Sequence, residues 1–202
     1  MNTESGQKLW KLAREFRTLA LVLLSISVAR STLADHYLVP SGSMEPTLVS
    51  GDRVFVDKLG YGLRVPFTTV RMIPGATVRR GEVVIFDSPR DGQRLIKRIV
   101  AVGGDEVDIR DGHLTIDDHP MATSGDGATE FFGDKRVRLN LDDGGGHYYS
   151  GLIPPGKLLA VGDHRGNSID GRVFGLIDER DVYGRAVAVY YRAGDGFTWK
   201  PL

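Results

Sequence analysis

The chain changes character near residue 35. Residues 18–29, TLALVLLSISVA, are uncharged and mostly apolar. From residue 36 onward, β-branched and aromatic residues alternate with polar ones in short runs bounded by Gly, Pro and Asp. That period of two marks half-buried strands. Strands are predicted over residues 36–40 (HYLVP), 51–59 (GDRVFVDKL) and 81–89 (GEVVIFDSP). Residues 93–118 predict a strand, a turn and a hairpin, in which VDIR and HLTID flank Asp111-Gly112, a strong two-residue turn signal. Residues 157–177 predict strand, loop, strand, and 182–192 the final strand. Residues 60–70, GYGLRVPFTTV, read as a loop whose Tyr61, Leu63, Val65 and Phe67 either pack on the core or form a lipid-touching edge. Residues 121–147 read as a polar, Gly-rich excursion with one strand near 135–141. There is no internal repeat. The expected fold is mainly β, antiparallel, built as closed or sandwiched sheets over residues 36–202.

The N-terminal segment is of another kind. Lys8, Lys11, Arg14 and Arg17 precede the apolar run against a single acid, Glu15. By the positive-inside rule this flank lies in the cytoplasm and everything after the run lies outside. The uncharged run is shorter than the about 20 residues a span needs. Residues 19–38 reach that length if Arg30 snorkels or faces protein. Residues 1–35 therefore read as a cytoplasmic basic tail and one transmembrane anchor helix in the cell membrane, with the β domain extracytoplasmic. A cleavable signal peptide ending at residues 32–34, and a buried helix of a soluble protein, are the other readings.

Composition narrows the chemistry. Lys+Arg and Asp+Glu are both 26, so the formal charge is zero and offers no argument for a nucleic-acid partner. There is no cysteine, which removes disulfides, thiolate nucleophiles and Cys-type metal sites. No metal or nucleotide signature is present, and no cofactor is expected.

Three segments carry candidate chemistry. In residues 39–48, VPSGSMEPTL, Gly42 lets the chain turn and lets a substrate backbone approach. Ser43 behind it is the candidate nucleophile, its own amide free for an oxyanion, and Ser41 could bring a hydroxyl to the same place. Pro46 keeps the segment from running on as a helix. Such a triplet is also a common turn. A serine needs a base. Among His36, His113, His119, His147 and His164, only His164, beside Asp163, is placed for a Ser–His arrangement. Lysine is the other choice, provided burial keeps it neutral. In RLIKRIV, Lys97 shares a strand face with Leu95 and Ile99, while Ile96 and Arg98 point the other way. The competing reading is an edge-strand lysine in solvent. In residues 162–172, GDHRGNSIDGR, Asp163, Arg165, Asp170 and Arg172 alternate in sign around Asn167 and Ser168. This is either a solvated turn or a hydrogen-bonded scaffold for a neighbouring group.

Taken together and in order, these segments resemble the type I signal peptidase (leader peptidase) family of Ser/Lys peptidases. The matching residues are Ser41-Gly42-Ser43-Met44 with Pro46-Thr47-Leu48, Lys97-Arg98 with Gly104-Asp105 downstream, and Gly162-Asp163, Arg165, Asn167-Ser168, Asp170 and Arg172. YGLRVP and VYGRAVAVYY are also similar to family segments, so the resemblance runs from the anchor to about residue 190. It implies a β-rich catalytic core on a membrane span that removes signal peptides from exported preproteins. Ser43 would be the nucleophile and Lys97 the general base, with the Ser43 amide and Ser41 hydroxyl as oxyanion donors. Ser168 would orient the lysine amine, and Arg98, Asp163, Arg165, Asp170 and Arg172 would be structural support. Val39, Pro40, Met44, Leu95 and Ile96 would wall the pockets for small side chains at positions −1 and −3, the substrate lying as an extended strand.

The chain departs from the family pattern at His164, Gly166 and Gly171 in the third segment. It also departs at Ala101 and Gly103 after the Lys-Arg pair, and at Leu95, where an aromatic is frequent. A dedicated conjugative-transfer or pilin-processing peptidase, and a membrane-tethered β domain that binds extended peptides without cutting them, are the alternatives.

Overall fold

Alternation becomes strand wherever one face finds cover. In Arg53–Asp57, Val54 and Val56 are buried while Arg53 and Phe55 look outward. The computed structural model describes residues 3–32, 34–64, 71–122 and 127–202. Helix α1, Thr3–Thr32, comes first. It is followed by β1 Ala34–Leu38, β2 Arg53–Asp57, β3 Gly62–Arg64, β4 Arg71–Pro74, β5 Val83–Asp87 and β6 Arg94–Val102. Next come β7 Glu106–Arg110, β8 His113–Ile116, β9 His119–Pro120, β10 Thr129–Phe132, β11 Lys135–Arg138, β12 Tyr149–Leu152 and β13 Lys157–Val161. A single helical turn, α2 Gly171–Phe174, precedes β14 Ile177–Asp178, β15 Val182–Arg192 and β16 Gly196–Pro201.

The main sheet is antiparallel, in the order β1-β2-β15-β5-β6-β13-β14. The long β15 changes partner along its length. Its first residues pair with β5, and from Ala188 its far half pairs with β16. A smaller sheet, β12-β7-β8-β9, and the hairpin β10–β11 pack beside it. The β7–β8 turn is built on Asp111 (φ 48°) and Gly112 (φ 81°), the two left-handed residues that a tight hairpin of this kind requires.

The fold is mainly antiparallel β with few helices, as the alternation implied. Several elements depart from expectation. The loop at 60–70 carries the pair β3–β4, and Val65 and Phe67 lie outside the described residues. The excursion at 121–147 holds a hairpin where one strand was expected. The strand expected after the 162–172 loop is α2, capped by the Asp170 carboxylate accepting from the Arg172 amide, followed by the two-residue β14. β15 is not the last strand, because β16 follows it.

Strand β6 is central, so both of its faces are buried. Ile96 belongs to a core cluster with Val39, Met44, Leu48, Val54, Val56, Val83, Ile85, Ala186 and Val189. Ile99 belongs to another with Val84, Phe86, Leu158, Ala160, Ile177 and Val182, against which Leu95 packs. A third cluster joins the end of β6 to β7, β8, β10 and β11.

At the N-terminus, the count of residues 19–38 as one span is corrected, because Ala34–Leu38 is a strand. Among the described residues no helix is long and apolar enough to cross a membrane. The Arg30 side chain lies outside the described residues.

Candidate active site

Ser43 and Lys97, separated by 54 positions in the chain, are brought together by β6 and a short turn. Residues Gly42–Met44 form a single 3₁₀ turn, with Glu45 N–H donating to the Gly42 carbonyl at 3.0 Å. Met44 plunges into the core and anchors the turn, which leaves the Ser43 hydroxyl facing β6. Gly42 does not adopt a left-handed φ, so the turn itself does not require glycine there. Ser41 Oγ lies 3.3 Å from Ser43 Oγ. Among the described residues, the Ser43 amide donates to no protein acceptor.

Lys97 sits in mid-strand opposite Val84 of β5, with its side chain 3 % exposed. The edge-strand reading of this lysine is therefore excluded. Its Nζ is hydrogen-bonded to Ser43 Oγ. Burial pushes the amine down from 10.5 to about 8, while Asp170 and Asp163 pull partly back and Arg172 adds to the fall.

The 162–172 segment is a buried scaffold and not a solvated turn. β13 stops at Val161, opposite Arg98, so Gly162 begins the loop beside the site. A Cβ on Gly162 would stand 2.5 Å from the Ser43 carbonyl oxygen and would also strike Ser168 Oγ. Only glycine lets the two segments close. His164 N–H then donates to the Ser43 carbonyl at 3.1 Å, and Gly162 N–H to Asp170 Oδ2 at 2.9 Å. Arg98 grips Asp163 through two bonds of 2.8 and 2.7 Å and reaches the Gly81 carbonyl at 2.7 Å. Arg172 holds Asp170 at 2.8 Å through both Nε and Nη2. Burial alone would raise the Asp170 carboxyl, but Arg172 and the Gly162 amide hold it below the ordinary carboxylate range.

One member of this scaffold was not legible in the sequence. Fully buried Arg165 pairs with Glu130 at 2.8 Å and donates to the Gly112 carbonyl. Arg172 Nη1 similarly reaches the Gly145 carbonyl at 2.8 Å. The excursion at 121–147 thus folds back to brace the site. The alternating charges around Arg165 announced an unmet partner, but nothing local pointed to Glu130.

Two expected placements differ. Among the described residues Ser168 Oγ makes no well-aligned hydrogen bond and none to Lys97, although its hydroxyl lies near enough to Asp170 to help hold that carboxyl down. The His164 imidazole stands 2.8 Å from Asp143, at an angle that makes no hydrogen bond, and does not engage Ser43.

An open cleft of ≈ 670 Å³ exposes the serine–lysine pair. Of the expected pocket residues only Leu95 lines it; Val39, Met44 and Ile96 lie in the core, and Pro40 is exposed outside it. Ser88, Gln93, Asn167, Ile169 and Phe174 line it instead, with Arg90 and Asp91 at the rim. These come from the β5–β6 turn and the loop around α2, which sequence periodicity does not bring together. Among the described residues, no three His, Asp or Glu side chains are placed to hold a metal ion.

The family model for signal peptidase, peptidase S26, matches residues 12–191. Signal peptidase I of Pseudomonas aeruginosa is 30 % identical, the match covering 84 % of this chain and 69 % of that one. Signal peptidase I of Bacillus licheniformis is also 30 % identical, over 87 % of this chain and 88 % of that one. The crystal structure of a signal peptidase I from Enterococcus faecalis is 26 % identical, covers 55 % of this chain and 97 % of its own, and superposes with a TM-score of 0.39. The chain belongs to the signal peptidase family of serine peptidases, peptidase S26.

Proposed function

We propose that this chain is a membrane-anchored endopeptidase that removes signal peptides from exported preproteins, with Ser43 as nucleophile and Lys97 as general base. The observation that carries the reading is a lysine amine buried in mid-sheet, depressed to about 8 and hydrogen-bonded to a serine hydroxyl in an open cleft. Neutral Nζ takes the Ser43 proton as Oγ attacks the scissile carbonyl carbon. The resulting ammonium gives that proton to the departing amine. Water then hydrolyses the acyl-enzyme, again with Lys97 as base. The Ser43 amide and the Ser41 hydroxyl are the donors for the tetrahedral oxyanion. Asp163, Asp170, Arg98 and Arg172 set the amine's position and potential, and Ser168 shapes the wall beside Gly162.

Membrane anchoring is supported by the order of charge and apolarity along α1, where Lys8, Lys11, Arg14 and Arg17 precede the uncharged residues 18–29. Its side chains from Leu19 to Ile26 stand uncovered by the rest of the protein. A second apolar surface is carried by β1, β2 and β16 of the main sheet. Leu38, Phe55, Phe197 and Trp199 are exposed there, and the Phe55 and Trp199 rings are 6.3 Å apart. Exposed aromatic rings of this kind suit a bilayer interface. In this arrangement the basic N-terminal flank is cytoplasmic and the β domain extracytoplasmic.

Incubation with a preprotein whose signal peptide ends in Ala-x-Ala tests the reading. Cleavage after that sequence, lost in Ser43→Ala and in Lys97→Ala, is the expected result. Cleavage that persists in Lys97→Ala overturns it.

A further inference from the structure

A second cavity, of ≈ 320 Å³, lies apart from the serine–lysine cleft and is unusually basic. Its walls are Pro46, Thr47, Arg98, Lys135, Arg136, Val137, Arg138, Lys200, Pro201 and Leu202. Five of these carry positive charge in a chain whose formal charge is zero. Arg98 at its base is already committed to Asp163 and also reaches Thr47 Oγ1 at 3.3 Å. Lys135 Nζ contacts an oxygen of Leu202 at 3.4 Å and feels Glu82 from behind. Arg136, Arg138 and Lys200 are exposed, and among the described residues none forms an ion pair. Three of the five cations that line this cavity thus have no carboxylate partner among the described residues, and an anion bound there would supply one. Guanidinium forks flanked by ammonium groups match phosphate oxygens in both geometry and charge.

We propose that this pocket binds a phosphate group. Besides Arg98 of β6, two elements supply its cations. The β10–β11 hairpin supplies Lys135, Arg136 and Arg138, and β16 supplies Lys200. Along β16, Lys200 lies on the opposite side of the strand from Phe197 and Trp199, which are 88 % and 63 % exposed. The same short strand thus carries exposed aromatic rings, which suit a bilayer interface, and one cation of the pocket. A phospholipid headgroup is thus one source of the phosphate; this source rests on the membrane-anchored reading above, whereas phosphate binding itself does not.

The test is calorimetric titration of the full chain in a neutral detergent at constant ionic strength. Inorganic phosphate is one titrant, dihexanoylphosphatidylglycerol a second and dihexanoylphosphatidylcholine a third. The triple variant Arg136→Gln/Arg138→Gln/Lys200→Gln removes the pocket's free charges. Arg110→Gln/Lys157→Gln/Arg180→Gln removes the same number of charges elsewhere. Cleavage of a soluble peptide within about twofold of the parent shows that both variants are folded.

Saturable binding of phosphate or phosphatidylglycerol, weakened about tenfold or more in the pocket variant and within about twofold of the parent in the control, supports the proposal. Tighter binding of phosphatidylglycerol than of inorganic phosphate assigns a lipid source, and phosphate binding without lipid binding assigns a free one. Absence of saturable binding by either, equal binding in the pocket variant, or equal loss in the control overturns it, whatever the outcome of the cleavage assay with Lys97→Ala.

Discussion

Replacing Lys97 with methionine should abolish activity and yet stabilise the protein at low pH. The ordinary amine value of 10.5 falls to about 8 in the folded chain. That difference corresponds to about 3 kcal/mol at 1.36 kcal/mol per unit. Below pH 8 the lysine is protonated in both folded and unfolded chains, so the folded state bears the full penalty of a buried ammonium. Between about 8 and 10.5 the unfolded chain retains a proton that the folded chain has lost, and stability rises with pH. Above 10.5 both states are neutral and the penalty is gone. Methionine keeps an unbranched apolar stem in the same space and carries no charge. It forfeits the bond to Ser43, worth about 1 kcal/mol. The expected net gain at pH 6 is therefore about 2 kcal/mol, or roughly 4–8 °C in Tm for a domain of this size. At pH 11 the gain should vanish or reverse. Thermal unfolding of full-length parent and Lys97→Met, followed by near-UV circular dichroism at the two pH values, measures this. A variant less stable than the parent at pH 6, or a difference independent of pH, would refute the reasoning.

Other parts of the site give separate tests. Gly162→Ala should lower kcat/KM at least about 100-fold with the fold retained, since the new methyl group must displace the Ser43 carbonyl or the loop carrying Ser168. Steady-state kinetics alongside circular dichroism would show it, and near-normal kcat/KM would contradict the close approach. Glu130→Gln should cost about 3–5 kcal/mol, because it leaves the guanidinium of Arg165 buried without its carboxylate. Denaturant unfolding measures that cost; a change below about 1 kcal/mol would mean that the pair is not the brace its burial implies.

What could be read in advance follows from which interactions are local. β2, β5, β7 and β8 were legible because one or both faces are buried and their residues are β-branched or aromatic. β12 and β16 were not, because they are edge strands whose residues stay largely exposed and show no buried alternation. The GRVF segment reads as strand by composition but folds as a helical turn, since Asp170 caps it and Gly175, at φ 89°, ends it. The serine and the lysine could be singled out because each is anomalous in its own stretch: a hydroxyl pair at a turn, and a lysine between Leu95 and Ile99. The cleft walls could not. Val39, Met44 and Ile96 looked like pocket residues by proximity to Ser43 and Lys97, yet apolar side chains beside a site are drawn into the core when a core is available. Glu130 was hidden because its partner, Arg165, is 35 positions away and no local spacing links the two.

The proposed catalysis turns on the protonation state of one amine. Its most direct test is NMR titration of the Lys97 ε-methylene carbon in the full-length protein, identified by its absence in Lys97→Met, set against the pH profile of kcat/KM. Both should share a midpoint near pH 8, with activity falling about tenfold per pH unit below it. A Lys97 signal that titrates near 10.5, together with activity that holds level from pH 9 to pH 5, would contradict the assignment of this lysine as the base.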